Sequence, residues 1–368
     1  MRNAKEVGDN LRRAGFGGSI VVPRVHEPLC SRRLLVMEEI RPAVPLHQAL
    51  EDQARLVARH RGISVAELLR QEEEKREAAT RDALAHGGRL VRQTSSRTYD
   101  RYIAAQRGRR RLGYAARAAW NYSVGLLPLV PRFDLAQSDV LVPINAARLI
   151  DRLMEVHGHE VLIDGCFNAD PHAGNVLYLE KDDQLALIDY GQVKRLSDRQ
   201  RLDLAKTIVL VGAAMRHDPR TDPKADAAAF ARAKAGLHTH FVAIGCKTEK
   251  MLADSFYEAF SVYLGRMDAV WLARSRLNPR HPEPLNLLQW SDQLEASDPV
   301  QSIDDVDYLV MTNTVTLMIR GLGEILNQSR DVATAWGPFA RRALAEKGLL
   351  AEVEAEIASW ESPAPGAG

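Results

Sequence analysis

Asp170-Pro171-His172-Ala173-Gly174-Asn175 and, a little further on, Asp189-Tyr190-Gly191 gather two carboxylates, an amide and an imidazole into one short stretch. Carboxylate and amide oxygens suit a hard cation such as magnesium, which takes oxygen ligands and keeps several waters. A further carboxylate beside an acceptor can orient a hydroxyl or water and take its proton. Positioning and charge neutralisation of this kind are most of what phosphoryl transfer asks of a protein. Asp170 is thus a candidate base, and Asn175 and Asp189 are candidate metal ligands.

The elements around these residues must bring them together. Val176 to Leu179 and Leu185 to Ile188 read as two strands around the polar turn Lys181-Asp182-Asp183-Gln184. Such a hairpin sets Asp189 beside the loop, so that both reach one metal. Protein kinases use the same order: an Asp five positions before an Asn, a short hairpin, then Asp-Phe-Gly. Here Tyr190 stands for the Phe. Each short motif alone is common by chance, and a bland alternative is a polar turn capping a hairpin. Spacing, context and ending agree, and that agreement favours the chemical reading.

Upstream, residues 1–20 read as a polar helix that breaks at Gly15-Phe16-Gly17-Gly18, a flexible turn rather than a phosphate loop. Ile20 to Val25 reads as a strand, and Arg33 to Ile40 as a second, more buried one. Pro45 opens a helix over Leu46 to His60. Helical periodicity returns over 145–158, with Ala146, Leu149, Ile150, Leu153 and Val156 on one face. From Leu196 onward nearly everything reads as helix, and from Ser362 the chain is a Pro/Ala/Gly tail.

Residues 65–143 differ in character and read as an insertion. Gln71 to Arg76 is a charge run; from Arg89 to Arg117 the basic residues are all arginines, with Asp100 the one acid. Trp120 and the apolar run Leu126 to Pro131 follow. A solvated, partly disordered insertion is the preferred reading; contact with acidic lipid headgroups at a membrane surface through 89–131 comes second, and nucleic acid third.

The chain of 368 residues carries a net charge of +1 with 26% charged residues, so no global field points to nucleic acid or membrane. Cys30, Cys166 and Cys246 form no CxxC pair, which argues against a disulfide framework or zinc site. No apolar run approaches the ~20 residues of a membrane span. No targeting signal is readable. His238-Thr239-His240 reads as surface histidines, since i and i+2 do not share a helix face.

Gly165 to Asn175 resembles the GxFHADPHPGN motif of the UbiB (aarF-domain) atypical kinases, and Leu187 to Gln192 resembles that family's LIDFGQ. Val22-Pro23-Arg24-Val25 and Leu34 to Glu38 look like its strands before the adenine hinge. Arg320 to Gly323 and Ala335 to Pro338 resemble its C-terminal helices. The resemblance covers most of 1–60 and 145–345. It implies an α+β, protein-kinase-like fold with a mostly helical C-lobe and a truncated N-lobe sheet, and ATP with Mg2+ as cofactors. Asp170 matches the catalytic-loop Asp, His172 the histidine beside it, Asn175 and Asp189 the magnesium ligands. Glu38 and Glu39 fall where the hinge backbone meets adenine. Asn168 replaces the usual His and Ala173 the usual Pro, both expected to be tolerated.

The family's ATP-pairing lysine and alanine-rich loop would lie upstream of Met1, making the opening helix a truncated C-helix. Weak nucleotide binding and little turnover are expected of the polypeptide as written. The implied division is 1–42 as N-lobe remnant and hinge, 43–350 as C-lobe with the 65–143 insertion, and 351–368 as tail. The implied function is Mg-ATP phosphotransfer or hydrolysis in ubiquinone or isoprenoid-lipid metabolism, in a mitochondrion or plastid. The alternatives are an inactive pseudokinase scaffold of a lipid-biosynthesis complex and a small-molecule kinase of the aminoglycoside or choline type; the wording of the loop and the 320–338 segment argue against the last.

Overall fold

The computed structural model describes residues 2–86, 95–135, 140, 142–180, 184–278, 283, 285–302 and 306–361. The opening helix α1 (Arg2–Arg13) is amphipathic and buries Val7, Gly8 and Leu11. Gly15 ends it with φ of 88°, a left-handed conformation natural to glycine. Strand β1 (Ile20–Val21) follows at once. A long connection leads to β2 (Val44–Pro45) and helix α2 (Leu46–Arg61), which Gly62 closes at φ 68°.

The segment 33–40, expected as a buried strand, is not one. It keeps only single bridges, Ser31 to Leu34 and Val25 to Met37. Leu34, Leu35 and Met37 are 57%, 51% and 41% exposed, so its apolar residues have no sheet to cover. Apolar pattern alone does not supply a partner strand.

The insertion is helical. α3 (Val65–His86) and α4 (Ser96–Asn121) are long, and only Leu68, Ala83 and Ile103 are buried along them. On α3 the charges close on themselves, with Arg70, Lys75 and Arg76 paired to glutamates three or four residues away. α4 begins at Ser95, whose hydroxyl accepts from the Thr98 N–H. It is tied to the body by Asn145, whose Nδ2 donates to the Ser96 carbonyl and to Asp100.

α5 (Ala146–His159) has the expected inward face and runs into a wide π-type turn, 160–164. Gly165, at φ 63°, turns the chain into β3 (Cys166–Asn168). Then come β4 (Val176–Leu179), β5 (Gln184–Leu187) and β6 (Val193–Arg195). The β4–β5 hairpin forms as read, with Val176 opposite Leu187 and Leu179 opposite Gln184. Of the expected turn at 181–184, residues 181–183 lie outside the described residues and Gln184 belongs to β5, which ends at Leu187 rather than Ile188. The hairpin is flanked on both sides, giving the order β1-β5-β4-β2, with β1 parallel to β5. β3 and β6 form a separate antiparallel ribbon that periodicity did not reveal.

The rest is helical: α6 (Asp198–Arg216), α7 (Ala227–Ile244), α8 (Ala253–Phe260), α9 (Ala269–Ala273), α10 (Leu287–Ser297), α11 (Asp307–Ile325), α12 (Val332–Glu346) and α13 (Leu350–Glu361). Strands β7 (Lys247–Thr248) and β8 (Val300–Ser302) pair between them. The core sits around α5, α6 and α12. Trp336 is fully buried there, and its indole N–H donates to the Met154 carbonyl at 2.7 Å. It lies so close to Gly158 that any Cβ there would meet it at 2.7 Å. Buried Arg320 donates to the carbonyls of Val262, Tyr263 and Gly265, which a second π-type turn leaves without helical partners.

Two expectations are corrected. Residues 351–361, set apart as tail, belong to α13, which buries Val353, Ile357 and Trp360; residues 362–368 lie outside the described residues. His240 is not a surface histidine: it is buried and shares a hydrogen bond with the Thr207 hydroxyl, and burial pushes its pKa down to about 4.

Candidate active site

Asn168, Asp170, Asn175 and Asp189 are brought together by backbone geometry. The Ala169 N–H donates to the Gln192 carbonyl at 2.8 Å, and the Ile188 N–H to the Asn175 carbonyl at 3.1 Å. These bonds bind the loop to both flanks of the Asp-Tyr-Gly segment. The Asn175 N–H donates to the His172 carbonyl, making a tight turn.

The side chains then use up their spare donors. Asn175 Nδ2 donates to the Asp170 carbonyl at 3.3 Å, which leaves its Oδ1 as the free end. Asp189 Oδ1 accepts from the Gly191 N–H at 2.8 Å, which leaves Oδ2 to solvent. Asp170 is half-buried, its side chain 28% exposed, with His172 Nε2 3.9 Å from Oδ2. The His172 Nδ1 accepts from the Gly174 N–H at 3.1 Å, so Nε2 is the nitrogen turned toward Asp170. Two carboxylates and an amide oxygen are a donor set that fits magnesium better than a thiolate- or imidazole-seeking metal.

Asn168 ties these parts together. It is 1% exposed. Its Oδ1 accepts from the Asp170 N–H at 3.0 Å and its Nδ2 donates to the Asp189 carbonyl at 2.8 Å. Its own N–H reaches Glu160 Oε2 at 3.4 Å. Glu160 sits fully buried in the π-type turn, and burial pushes its carboxyl up to about 8. The neighbouring Tyr190 hydroxyl is buried without a partner among the described residues and is raised well above its usual value, first by burial and then by Glu160. Sequence reasoning treated Asn168 as a tolerant position and overlooked Glu160. The signal available was an amide two residues before Asp170 where the family motif has an imidazole.

α1 reaches the same place. Asn3 Nδ2 donates to the Tyr190 carbonyl at 3.2 Å, and Arg195 of β6 bonds to Asn3 and Glu6. Lys5, by contrast, pairs with Glu27 at 2.9 Å. Glu38 and Glu39 are not drawn to the loop. They lie on the exposed connection between β1 and β2, where Glu38 accepts from the Arg24 N–H and Glu39 pairs with Arg41. A cleft of about 890 Å3 opens on that side of the hairpin, lined in part by Arg41, Val44, Tyr178, Arg107 and Arg110.

A loop with Asp and Asn oxygens, a hairpin and a second Asp held over a helical lobe define an atypical kinase-like domain. Residues 134–218 match the family model of the ABC1 atypical kinase-like domain, and that span holds Asp170, His172, Asn175 and Asp189. Over that span the chain is similar to the ABC1 atypical kinase-like family. An uncharacterised protein of Synechocystis is 38% identical over 80 residues, 21% of this chain and 19% of the Synechocystis protein. The chloroplastic protein called activity of bc1 complex kinase 7, from Arabidopsis thaliana, is 32% identical over 93 residues, 23% of this chain and 13% of that one. The match therefore spans less than a fifth of either relative. No solved structure matches.

Proposed function

We propose that the chain binds Mg-ATP at Asn175 and Asp189 and transfers or hydrolyses its terminal phosphate with Asp170 as the base. The observation that carries this is the donor geometry: Asn175 Nδ2 and Asp189 Oδ1 are spent within the loop, which leaves Asn175 Oδ1 and Asp189 Oδ2 as the oxygens offered to a metal. Asn175 and Asp189 would hold the magnesium, whose charge would offset that of the phosphates. Asp170 orients an acceptor hydroxyl or water and takes its proton, and His172 holds the Asp170 carboxylate in place. Glu38 and Glu39 line the segment assigned to the adenine. A lipid setting, in ubiquinone or isoprenoid metabolism, follows the family resemblance, and a plastid or mitochondrial location is in keeping with the chloroplastic relative.

The test is ADP release from Mg-ATP by the wild type and by Asp170→Asn. Turnover that falls at least a hundredfold while Mg-ATP still binds supports the role of Asp170, since positioned bases contribute about 10²–10⁴-fold. Turnover unchanged in Asp170→Asn would remove it.

A further inference from the structure

Away from the loop, a cavity of about 220 Å3 opens between α8, α10, the β7–β8 pair and α11. Leu204, Phe256, Phe260, Leu264, Val306 and Leu309 give it a largely apolar wall. It exceeds the roughly 150 Å3 apolar cavity that is known to take benzene. Its mouth is marked by Lys247, Val300 and Val310, all exposed, while Thr312 on its wall is 1% exposed.

Thr312 is the informative residue. Several helical threonines of this chain return their hydroxyl to a carbonyl one turn back: Thr207 to Asp203, Thr239 to Ala235, Thr314 to Val310. Thr312, on the same helix as Thr314, does not; its Oγ1 is buried without a hydrogen-bond partner among the described residues. A buried hydroxyl left unpaired costs about 1–3 kcal/mol, although the carbonyl of Tyr308 stands one turn away. A largely apolar pocket with a few placed polar groups is how small-ligand sites are built, and among the described residues Thr312 is the buried lining side chain left without a partner.

We propose that this cavity binds a neutral, single-chain lipophile with one oxygen-bearing head, of the long-chain alcohol type, whose oxygen hydrogen-bonds to Thr312. A charged head is disfavoured, because a carboxylate carried to the depth of Thr312 would be desolvated, and the lining cation, Lys247, is exposed at the mouth. The site is independent of nucleotide chemistry at Asp189. It stands whether or not the loop turns over ATP.

The probe is 1-decanol, with decanoate as the charged comparator, titrated against the full chain by thermal shift. Thr312→Val removes the hydroxyl at constant shape, and Thr312→Ser restores it. Cys246 lines the cavity, so its protection from a small methanethiosulfonate reagent, read by mass spectrometry, locates the ligand. The expected result is saturable decanol binding stronger than decanoate binding, with protection of Cys246. Thr312→Val should weaken decanol roughly five- to tenfold, the effect of about one hydrogen bond, and Thr312→Ser should recover it. Decanoate binding as well as decanol, equal affinity in Thr312→Val, or saturation without protection of Cys246 would each overturn the proposal.

Discussion

Asn168 Nδ2 lies 2.8 Å from the Asp189 carbonyl oxygen, so one buried amide joins the Asp-Tyr-Gly segment to the loop that carries Asp170. Its Oδ1 takes the Asp170 N–H at the same time. Removing it leaves a part-buried carbonyl and N–H to find water instead, at a cost of about 1 kcal/mol each, the low end for an unmade hydrogen bond. Asn168→Ala is expected to lower stability in urea by about 2 kcal/mol and to weaken Mg-dependent nucleotide binding. Asn168→Asp is expected to be worse, because a carboxylate cannot donate to the Asp189 carbonyl.

Glu160 makes stability depend on pH. Burial raises its folded-state value from the ordinary carboxylate range to about 8. The folded protein therefore holds a proton that the unfolded chain loses near pH 4.5, and stability from this group falls as pH rises from about 4.5 to 8 and is flat above. Glu160→Gln keeps the neutral shape. It is expected to flatten that slope and to gain at least about 1 kcal/mol at pH 8, by the scale of one pKa unit. Parallel slopes in urea melts of both proteins between pH 5 and 8 would contradict this.

Much of this site was legible in the chain, and the reasons are particular. Asp170, Asn175 and Asp189 sit in local sequence with the hairpin between them, so spacing alone brought them together. The helix at 146–159 showed its inward face in the run of Leu149, Ile150 and Leu153. What stayed hidden is non-local. Leu34, Leu35 and Met37 have the pattern of a buried strand, yet no neighbour covers them. The pairing of β1 with β5 joins Ile20 to Leu185 across the whole insertion. The packing of Trp360 against Gly236 joins to the body a stretch that the division at 351 had set apart as tail. Glu160 reads as an ordinary surface acid until the turn around it is built.

Trp336 fastens α12 to α5, the helix that delivers the loop. Trp336→Phe removes the bond to the Met154 carbonyl and is expected to cost about 1–3 kcal/mol in urea denaturation. Gly158→Ala places a methyl within 2.7 Å of the indole and is expected to cost a similar amount by overpacking. The two changes act on one contact, so their effects should not add.

Contact with a lipid surface, the second reading of residues 89–131 after a solvated insertion, would draw on charge that no carboxylate offsets among the described residues. Arg107, Arg109, Arg110 and Arg111 of α4 have no carboxylate partner among the described residues, unlike the basic residues of α3. Exposed Leu112, Tyr122, Leu126 and Leu127 lie on or beyond the same helix. On that second reading, vesicles containing anionic lipid are bound, and binding is weakened by salt and by Arg110→Glu with Arg111→Glu; the preferred solvated reading gives no binding. Equal binding to neutral vesicles, or none, would refute the lipid reading.

The central claim is a magnesium-dependent nucleotide site at Asp189, and the thermal stability of the purified chain with and without Mg-ATP, beside Asp189→Asn, tests it most directly. Ligand at about 100 times its dissociation constant adds roughly 2.7 kcal/mol to the folded state. The account predicts a rise in melting temperature that needs both magnesium and the Asp189 carboxylate. A folded wild-type chain whose melting temperature does not move at millimolar Mg-ATP, or moves equally in Asp189→Asn, would contradict it.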